Sequence, residues 1–343
     1  PHLIAMDAHI DTVGVGNMAN WTFDPYEGME DHEIIGGRGA SDQEGGMASM
    51  VYAGKIIKDL GLPVSKRVRF VVGTDEESGW ADMDYYFAHV GLPKPDFGFS
   101  PDAEFPIING EKGNITEYLH FDGANDGDFV LHSLSGGLRE NMVPEAGRAV
   151  FSGPADLAFL QEKLVAFTAE NPVTASLTEE AGRFQLEVIG KSAHGASPAS
   201  GINGVTYLAN FLSQFDFAGP AQAYLTIAGQ ILHQDHFGQA TGVAYEDEKM
   251  GKLTMNAGVF SFDAASSDNR IALNFRFPQG TDEKKIQAVL EGLEGVREVS
   301  LSQHMHTPHY TPMEDELVST LLSVYEKQTG LKGHEQIIGG GTF

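Results

Sequence analysis

The chain has 343 residues, carries a formal net charge of −26 and contains no cysteine. Its acidity argues against a nucleic acid or anionic membrane partner, because both need basic surfaces. Without cysteine there can be no disulfide and no thiolate zinc site, so a metal ion would have to be bound by His and carboxylate side chains. No apolar run reaches the length of a membrane span and no signal peptide is visible, which predicts a cytoplasmic protein of more than one domain.

The first predicted strand, residues 2–8, leads directly into His9 and Asp11. Residues two apart on a strand face the same side, so these two side chains can meet. A carboxylate beside an imidazole is the usual surrounding of a metal-binding histidine, because it fixes the tautomer of the ring. The alternative is a surface His next to a surface Asp, which is a common pair.

Asp42 precedes a predicted helix over residues 44–60. Ser41 and Glu44 have the spacing of a capping box, which is the purely structural interpretation of this turn. Asp42 itself could equally be a simple helix cap. Its place in the sequence between His9 and the next acidic segment favours a functional interpretation.

An acidic turn follows the predicted strand over residues 67–72, where Asp75, Glu76 and Glu77 stand next to one another. Adjacent carboxylates repel, so either a positive charge offsets the repulsion or the segment is fully solvated. A plain polar turn is the alternative, because Asp, Ser and Gly are ordinary turn residues. A short helix is predicted after it, over residues 80–89.

Asp102 follows a further short strand near residues 96–99. In open α/β sheets the carboxyl ends of the strands form the ligand-binding crevice. Several potential ligands arriving at such ends make a stronger indication of a metal site than any one of them. They are His9, Asp42, Glu76, Glu77 and Asp102.

From about residue 114 the pattern changes to alternating strands mixed with amphipathic helices. Strands are predicted at 115–121, 129–133, 183–189, 253–262 and 271–277, and helices at 154–170, 202–215 and 281–293. A last helix is predicted at 314–328. We interpret residues 114–307 as an α+β domain inserted into an α/β domain that comprises 1–113 and 308–343.

Three polar residues of the insert are candidates for substrate binding. His194 lies in a Gly/Ser loop where it could simply be solvated, and Asn141 is a candidate of the same modest kind. Arg276 lies inside an aromatic strand, where it could pair with a local carboxylate or bind a substrate carboxylate through both guanidinium nitrogens.

Taken together, the motifs of this chain resemble the co-catalytic zinc aminoacylase and carboxypeptidase family, peptidase family M20, and from residue 66 onwards most of all its dipeptidase V type. The resemblance extends along the whole chain. It implies a zinc-peptidase-like catalytic domain, with a mixed sheet flanked by helices, and an inserted α+β lid. The motifs that carry it are His9-x-Asp11, Gly39 to Asp42, Asp75 to Gly79, Ser100 to Asp102 and Gly339 to Thr342.

The resemblance also implies a role for each candidate residue. His9 and Asp102 would bind one Zn²⁺, Asp42 would bridge two ions, and Glu77 would bind the second, with Mn²⁺ or Co²⁺ as alternatives. Glu76 would be the general base that takes a proton from a metal-bound water, and Asp11 would orient His9. His194 and Asn141 would stabilise the oxyanion, while Arg276, Gly340, Gly341 and Thr342 would hold the C-terminal carboxylate of the substrate.

Two further expectations come from the family. A cis peptide bond is predicted between Asp42 and Gln43. The family's remaining zinc ligand is a His beyond the Gly-rich loop, whereas this sequence ends at Phe343. The sequence is therefore expected to be a piece of a longer protein with both ends missing and one ligand short at the second zinc site, which leaves the activity of the piece open.

The predicted function is that of a dinuclear zinc dipeptidase acting on short peptides with a free C-terminal carboxylate. An N-acyl amino acid deacylase or desuccinylase of the same family is the first alternative, and a non-catalytic relative that binds metal or peptide is the second. Glu76 argues against the second alternative, because a pure binding protein has no use for a base beside the ligands. The long insert favours a monomer over a dimer formed through the lid.

Overall fold

The computed structural model describes residues 2–16, 18–123, 127–303 and 305–340. The chain forms two compact units. Within the described ranges, the first comprises residues 2–109 and 311–336, and the second comprises residues 110–310 and 337–340. The chain thus passes between the units near residues 110 and 310. The assignment of a lid role to the second unit stays a prediction.

A parallel sheet organises the first unit. Leu3–His9 lies in its middle, between Arg67–Gly73 on one side and Phe97–Phe99 on the other. Parallel neighbours require crossover connections, which here contain the helices Gly45–Asp59 and Ala81–His89. Because all these strands run the same way, their carboxyl ends lie at one edge of the sheet, and the residues that follow each strand are brought together there.

The turn Ala40–Glu44 in front of the first long helix is irregular. Asp42 and Gln43 have non-helical backbone angles, and the peptide bond between them is cis, which confirms the prediction. The capping box expected from Ser41 and Glu44 does not form, since no side chain in this described stretch caps the helix. The turn therefore directs the Asp42 side chain by backbone geometry rather than by capping.

An antiparallel sheet organises the second unit. Its pairings are antiparallel throughout the described residues, and Arg183–Ile189 shows the alternate burial expected of a strand with one face on the core. Asn269–Phe277 is instead buried along almost its whole length. The strand order is Thr174–Glu180, Arg183–Ile189, Ala146–Ser152, Val130–Gly136, Thr254–Asp263, Asn269–Phe277, Gly113–Phe121 and Glu298–Leu301.

Helices cover this sheet and enclose an aromatic core with it. Asp156 caps the helix Leu157–Glu170 by accepting the backbone N–H of Phe159 at 2.8 Å, and Asn203 and Asp282 cap later helices in the same way. The capped helices of the unit are Leu157–Glu170, Gly204–Leu212 and Glu283–Leu290, and Gly219–Thr226 is a further one. Phe121, Phe151, Phe211, Phe217, Tyr224, Phe260, Phe275 and Phe277 are among the largest fully buried side chains.

The remaining elements are short, apart from Glu316–Thr329 of the first unit, which is capped by Asp315 and ends at Gly330 in the left-handed region. None of the helices in the described ranges is long and apolar enough to cross a membrane. The short strands are Met29–Glu30, Ile35–Gly36, Ile108–Glu111, Glu246–Asp247, Gly251–Lys252, His309–Tyr310 and Gln336–Ile338, and the short helical turns are Met18–Asn20, Pro198–Ser200 and Ile227–Ile231.

Candidate metal centre

Four acidic side chains of the first unit surround His9, which ends the central strand. Asp42 comes from the irregular turn, Glu76 and Glu77 follow Arg67–Gly73, and Asp102 follows Phe97–Phe99. The Nε2 atom of His9 lies 3.1 Å from Asp42 Oδ1, 3.7 Å from Asp102 Oδ2 and 3.9 Å from Glu76 Oε2. Residues scattered over nearly a hundred positions thus converge on one imidazole.

Two sets of potential metal ligands share this histidine. In the set His9, Asp42 and Asp102, the ligand atoms lie within 4.8 Å of one another, and the same holds for the set His9, Glu76 and Glu77. The first set has the members expected for one zinc ion. The second places Glu77, the expected ligand of the other ion, together with Glu76.

The imidazole of His9 is fully buried and held in one tautomer. Its Nδ1 atom lies 2.8 Å from the backbone carbonyl oxygen of Asp11, which can only accept a hydrogen bond, so Nδ1 carries the proton. Nε2 is the ring nitrogen that faces the carboxylates, and through it the ring would bind a metal ion.

The Asp11 carboxylate makes hydrogen bonds to the acidic turn that the sequence does not reveal. Its carboxylate oxygens accept the backbone N–H groups of Glu76 and Glu77, at 3.2 Å and 3.0 Å. The carboxylate is 3.4 Å from His9 Nδ1, farther than the Asp11 carbonyl. Asp11 thus contacts the histidine mainly through its backbone and fixes the acidic turn with its side chain.

Asp75, the first of the three consecutive acidic residues, closes the acidic turn instead of facing the site. Its carboxylate accepts hydrogen bonds from the Ser78 hydroxyl at 2.8 Å and from the backbone N–H of Ala81 at 2.9 Å. Because the strand has already ended at Gly73, Glu76 and Glu77 are not forced onto opposite faces. Of the three carboxylates, two lie beside His9 and one holds the turn.

The electrostatics of the cluster favour a cation. Burial, reinforced by Asp102, Glu77 and Asp42 and opposed by His9, raises the pKa of Glu76 to about 7. Burial and the Asp42 carboxylate also raise the pKa of Glu77. A bound divalent cation would reverse both effects, because it stabilises the charged form of each carboxylate.

The environment of one Glu77 oxygen indicates whether a metal ion fits this centre. Glu77 Oε1 is buried and has no hydrogen-bond partner within the described part of the chain. An orphaned carboxylate oxygen is costly in a protein interior unless a cation or a donor satisfies it. Imidazole nitrogen with carboxylate oxygens is also a donor set that Zn²⁺ and similar ions accept. The residues present therefore fit a divalent metal ion.

In the second unit, two of the predicted substrate residues are neighbours. The Gly195 N–H donates to the Asn141 carbonyl at 2.7 Å, so the loop carrying His194 runs beside Asn141. The Nδ1 atom of His194 accepts the N–H of Ala196 at 3.2 Å, which leaves the proton on Nε2. Reduced hydration of the ring and the nearby Arg276 charge lower the pKa of His194, which favours the neutral ring with its Nε2–H as a donor.

Arg276 is 4 % exposed, on the buried strand Asn269–Phe277. Its Nε atom has no hydrogen-bond partner among the residues that the structure describes. Burial lowers the pKa of Arg276 to about 10, and Glu111 opposes this effect. The Gly-rich segment lies alongside, since a Cβ placed on Gly339 would be 3.8 Å from the Cβ of Arg276. Gly340 is described, whereas Gly341 and Thr342 lie outside the described residues.

Comparisons with known proteins identify the family of the chain and two of its relatives. The family described as "Peptidase family M20/M25/M40" matches residues 5–343. A "Beta-Ala-Xaa dipeptidase" of Lactobacillus delbrueckii subsp. lactis is 39% identical over 340 residues, which is 98% of this chain and 70% of that protein. The "Putative dipeptidase YtjP" of Bacillus subtilis (strain 168) is 36% identical over 346 residues, covering 99% and 73%.

A solved structure shows a similar fold. The M20 family metallo-carboxypeptidase Sso-CP2 from Sulfolobus solfataricus superposes with a TM-score of 0.50 at 16% identity, over 99% of this chain and 72% of that one. At this identity the likeness concerns the fold alone.

Proposed function

The chain belongs to peptidase family M20/M25/M40, and on that premise we propose that it is a dinuclear zinc dipeptidase acting on short peptides with a free C-terminal carboxylate. Membership confirms the resemblance and the mixed α/β fold inferred from the sequence, and it makes the protein a hydrolase. The observation that carries the proposal is the convergence of His9, Asp42, Asp102 and the Glu76–Glu77 pair at one edge of the sheet. The names of the two dipeptidase relatives support the substrate class.

The metal ligands in this proposal are those that the resemblance implies. His9 and Asp102 would hold one ion, Glu77 the other, and Asp42, 3.1 Å from His9, would bridge them. Zinc bound there would supply a water whose pKa is lowered towards about 7. His9 is buried and hydrogen-bonded to Asp11, so the ring of this ligand would be held in one orientation.

Glu76 is the general base of the proposed reaction. Its carboxylate lies among the ligands without being needed as one, so it is free to accept a proton from the attacking water. Two backbone contacts support its position, since Asp11 accepts the N–H of Glu76 and also that of Glu77. A base held in this way would need no rearrangement before proton transfer.

The residues proposed to bind the substrate lie in the second unit. The Nε2–H of His194 and the amide of Asn141 would donate to the oxyanion that develops when the peptide carbonyl is attacked. Arg276 would bind the C-terminal carboxylate, because its unpartnered Nε offers the donor that such a ligand needs. Gly340, Gly341 and Thr342 would complete this subsite.

The test measures zinc content and hydrolysis of a free dipeptide for the wild type and for Glu76→Gln. We expect Glu76→Gln to keep its zinc and to lose turnover about 100-fold or more, as is typical for removal of a general base. The exposed Glu179→Gln is the matched control and should behave as wild type. Loss of zinc together with activity would make Glu76 a ligand, and a wild type that binds no zinc would refute the proposal.

The same preparation separates the dipeptidase from the deacylase alternative. A free dipeptide and an N-acetyl amino acid share the C-terminal carboxylate that Arg276 is proposed to bind, but they differ at the amino end. We expect the higher kcat/KM for the dipeptide. A clear preference for the N-acetyl amino acid would assign the chain to the deacylases of the family.

A further inference from the structure

Gln43, the residue after Asp42, is completely buried although its side chain is polar. Its Oε1 atom accepts the backbone N–H of His9 at 3.1 Å. The two residues are 34 positions apart, so this hydrogen bond joins the irregular turn to the end of the central strand. The hydrogen bond therefore connects two members of the candidate metal centre: His9 makes it directly, and Asp42 directly precedes Gln43 in the chain.

On one side of the central strand, the strand pairing ends before His9. Along a parallel strand, successive N–H groups point to alternate neighbours. Ile10 donates to the carbonyl of Gly73 on one side, so the N–H of His9 points to the other side. There the pairing with Phe97–Phe99 stops at Met6, which lies opposite Phe99. Beyond the end of that pairing, the carboxamide oxygen of Gln43 accepts the N–H of His9.

We propose that Gln43 is a positioning residue of the metal centre, holding the Asp42 turn on the end of the strand so that Asp42 and His9 face the same ion. This inference rests on the proposed function. The Asp42 side chain is 63% exposed, so packing does not fix it. What holds its backbone near His9 is the buried neighbour, which is anchored to the histidine's own N–H group.

The Gln43 carboxamide uses only part of its hydrogen-bonding capacity in the described ranges. The Nε2 atom of Gln43 is also buried and has no hydrogen-bond partner in the described ranges. Burying an amide with an unsatisfied donor is unfavourable, and methionine would avoid that penalty, but it would also remove the acceptor of the His9 N–H. The benefit of Gln43 is therefore its acceptor oxygen, and that oxygen acts on the metal-binding histidine.

The experiment compares zinc affinity, by competition with a chelator, for wild type, Gln43→Met, Gln43→Glu and Gln287→Met. Gln287→Met is the control, because the Gln287 side chain is likewise hydrogen-bonded to a backbone group, here by donating to the carbonyl of Val299, but in the second unit. We expect Gln43→Met to bind zinc about 10- to 100-fold more weakly, as for other residues that orient metal ligands, and to lower kcat more than it changes KM. Gln43→Glu, which keeps an acceptor atom, should retain more affinity than Gln43→Met, and Gln287→Met should retain all of it.

Hydrogen exchange at the His9 amide of the wild type gives a second measurement that needs no variant to fold. A protected amide is expected, and an amide that exchanges as fast as an exposed one overturns the inference. So does a Gln43→Met protein with wild-type zinc affinity, and the proposed function then still stands. A wild type that binds no zinc refutes the proposed function and this inference with it.

Discussion

The Nδ1 atom of His9 and the backbone carbonyl oxygen of Asp11 lie 2.8 Å apart. This contact decides which ring nitrogen is available to a metal, because a carbonyl cannot donate a proton. Because the Asp11 carbonyl makes this contact, the Asp11 carboxylate is available to accept the N–H groups of Glu76 and Glu77. One residue thus orients the histidine through its backbone and the acidic turn through its side chain.

The variant Asp11→Asn tests this double role. Its amide keeps one acceptor oxygen but turns an NH₂ group towards one of the two backbone N–H donors. We expect kcat and zinc affinity each to fall about 10- to 100-fold, the usual effect of disturbing a ligand's supporting contacts. Activity assays and chelator competition measure both.

The control for this variant is Asp31→Asn. The Asp31 carboxylate also accepts two consecutive backbone N–H groups, those of Glu33 and Ile34, but in an exposed turn. Asp31→Asn should leave kcat and zinc affinity unchanged. If both variants had the same effect, the contribution of Asp11 would be a general turn effect and not one specific to the centre.

Arg276→Lys tests the carboxylate subsite. Lysine keeps the charge but loses the planar pair of donors that matches a carboxylate. We expect KM for a free dipeptide to rise about 10- to 100-fold with a smaller change in kcat, corresponding to one or two charge-assisted hydrogen bonds. The same variant should lose the wild type's preference for a free dipeptide over its C-terminal amide.

Arg270→Lys on the same strand is the control for this experiment. Arg270 is exposed and stacks on Tyr118, so it should not affect recognition of the substrate carboxylate. An unchanged preference for the free carboxylate in Arg276→Lys would remove Arg276 from the subsite.

Glu117 is expected to make the free energy of unfolding depend on pH. It is fully buried, neither carboxylate oxygen has a hydrogen-bond partner in the described part of the chain, and burial, with Glu291 and Glu283, raises the pKa of Glu117 to about 8. The folded state therefore keeps a proton that the unfolded chain releases above its ordinary pKa of 4.5. Between pH 4.5 and about 8, this residue makes folding less favourable as the pH rises, by at most about 1.4 kcal/mol per pH unit.

Urea unfolding of Glu117→Met at pH 5 and pH 8 measures the effect. We expect the variant to be more stable than wild type, with a larger gain at pH 8 than at pH 5. The exposed Glu298→Met, on the neighbouring strand, should show no such trend. Equal gains at both pH values would mean that Glu117 ionises normally in the folded protein.

Leu134→Ala tests the core of the second unit. Leu134 is 0% exposed in the sheet, so the truncation should lower the free energy of unfolding by about 2–5 kcal/mol. Leu138 lies four residues later and is 99% exposed, so Leu138→Ala should change it by less than about 0.5 kcal/mol. Thermal or urea unfolding compares the two, and equal losses would contradict the observed burial.

The elements with strong patterns could be predicted from the sequence, and those without could not. The helix predicted at 44–60 is Gly45–Asp59, and the strand at 183–189 has the predicted ends. The strand Thr174–Glu180 was not predicted, because it is an edge strand exposed on most positions and so lacks alternation. The helix Gly219–Thr226 is short and begins with Gly and Pro, which resemble a turn in sequence.

The sequence by itself determined the types of residue at the strand ends and, through their motifs, the family of the chain. Only the tertiary structure decided which contacts each of the polar side chains near these strand ends makes. Asp75 holds its own turn, Asp11 supports Glu76 and Glu77, and Gln43 is tied to His9. The physical reason is that the contacts of Asp11 and Gln43 are hydrogen bonds between residues 34 to 66 positions apart, whereas a sequence pattern records only neighbours along the chain.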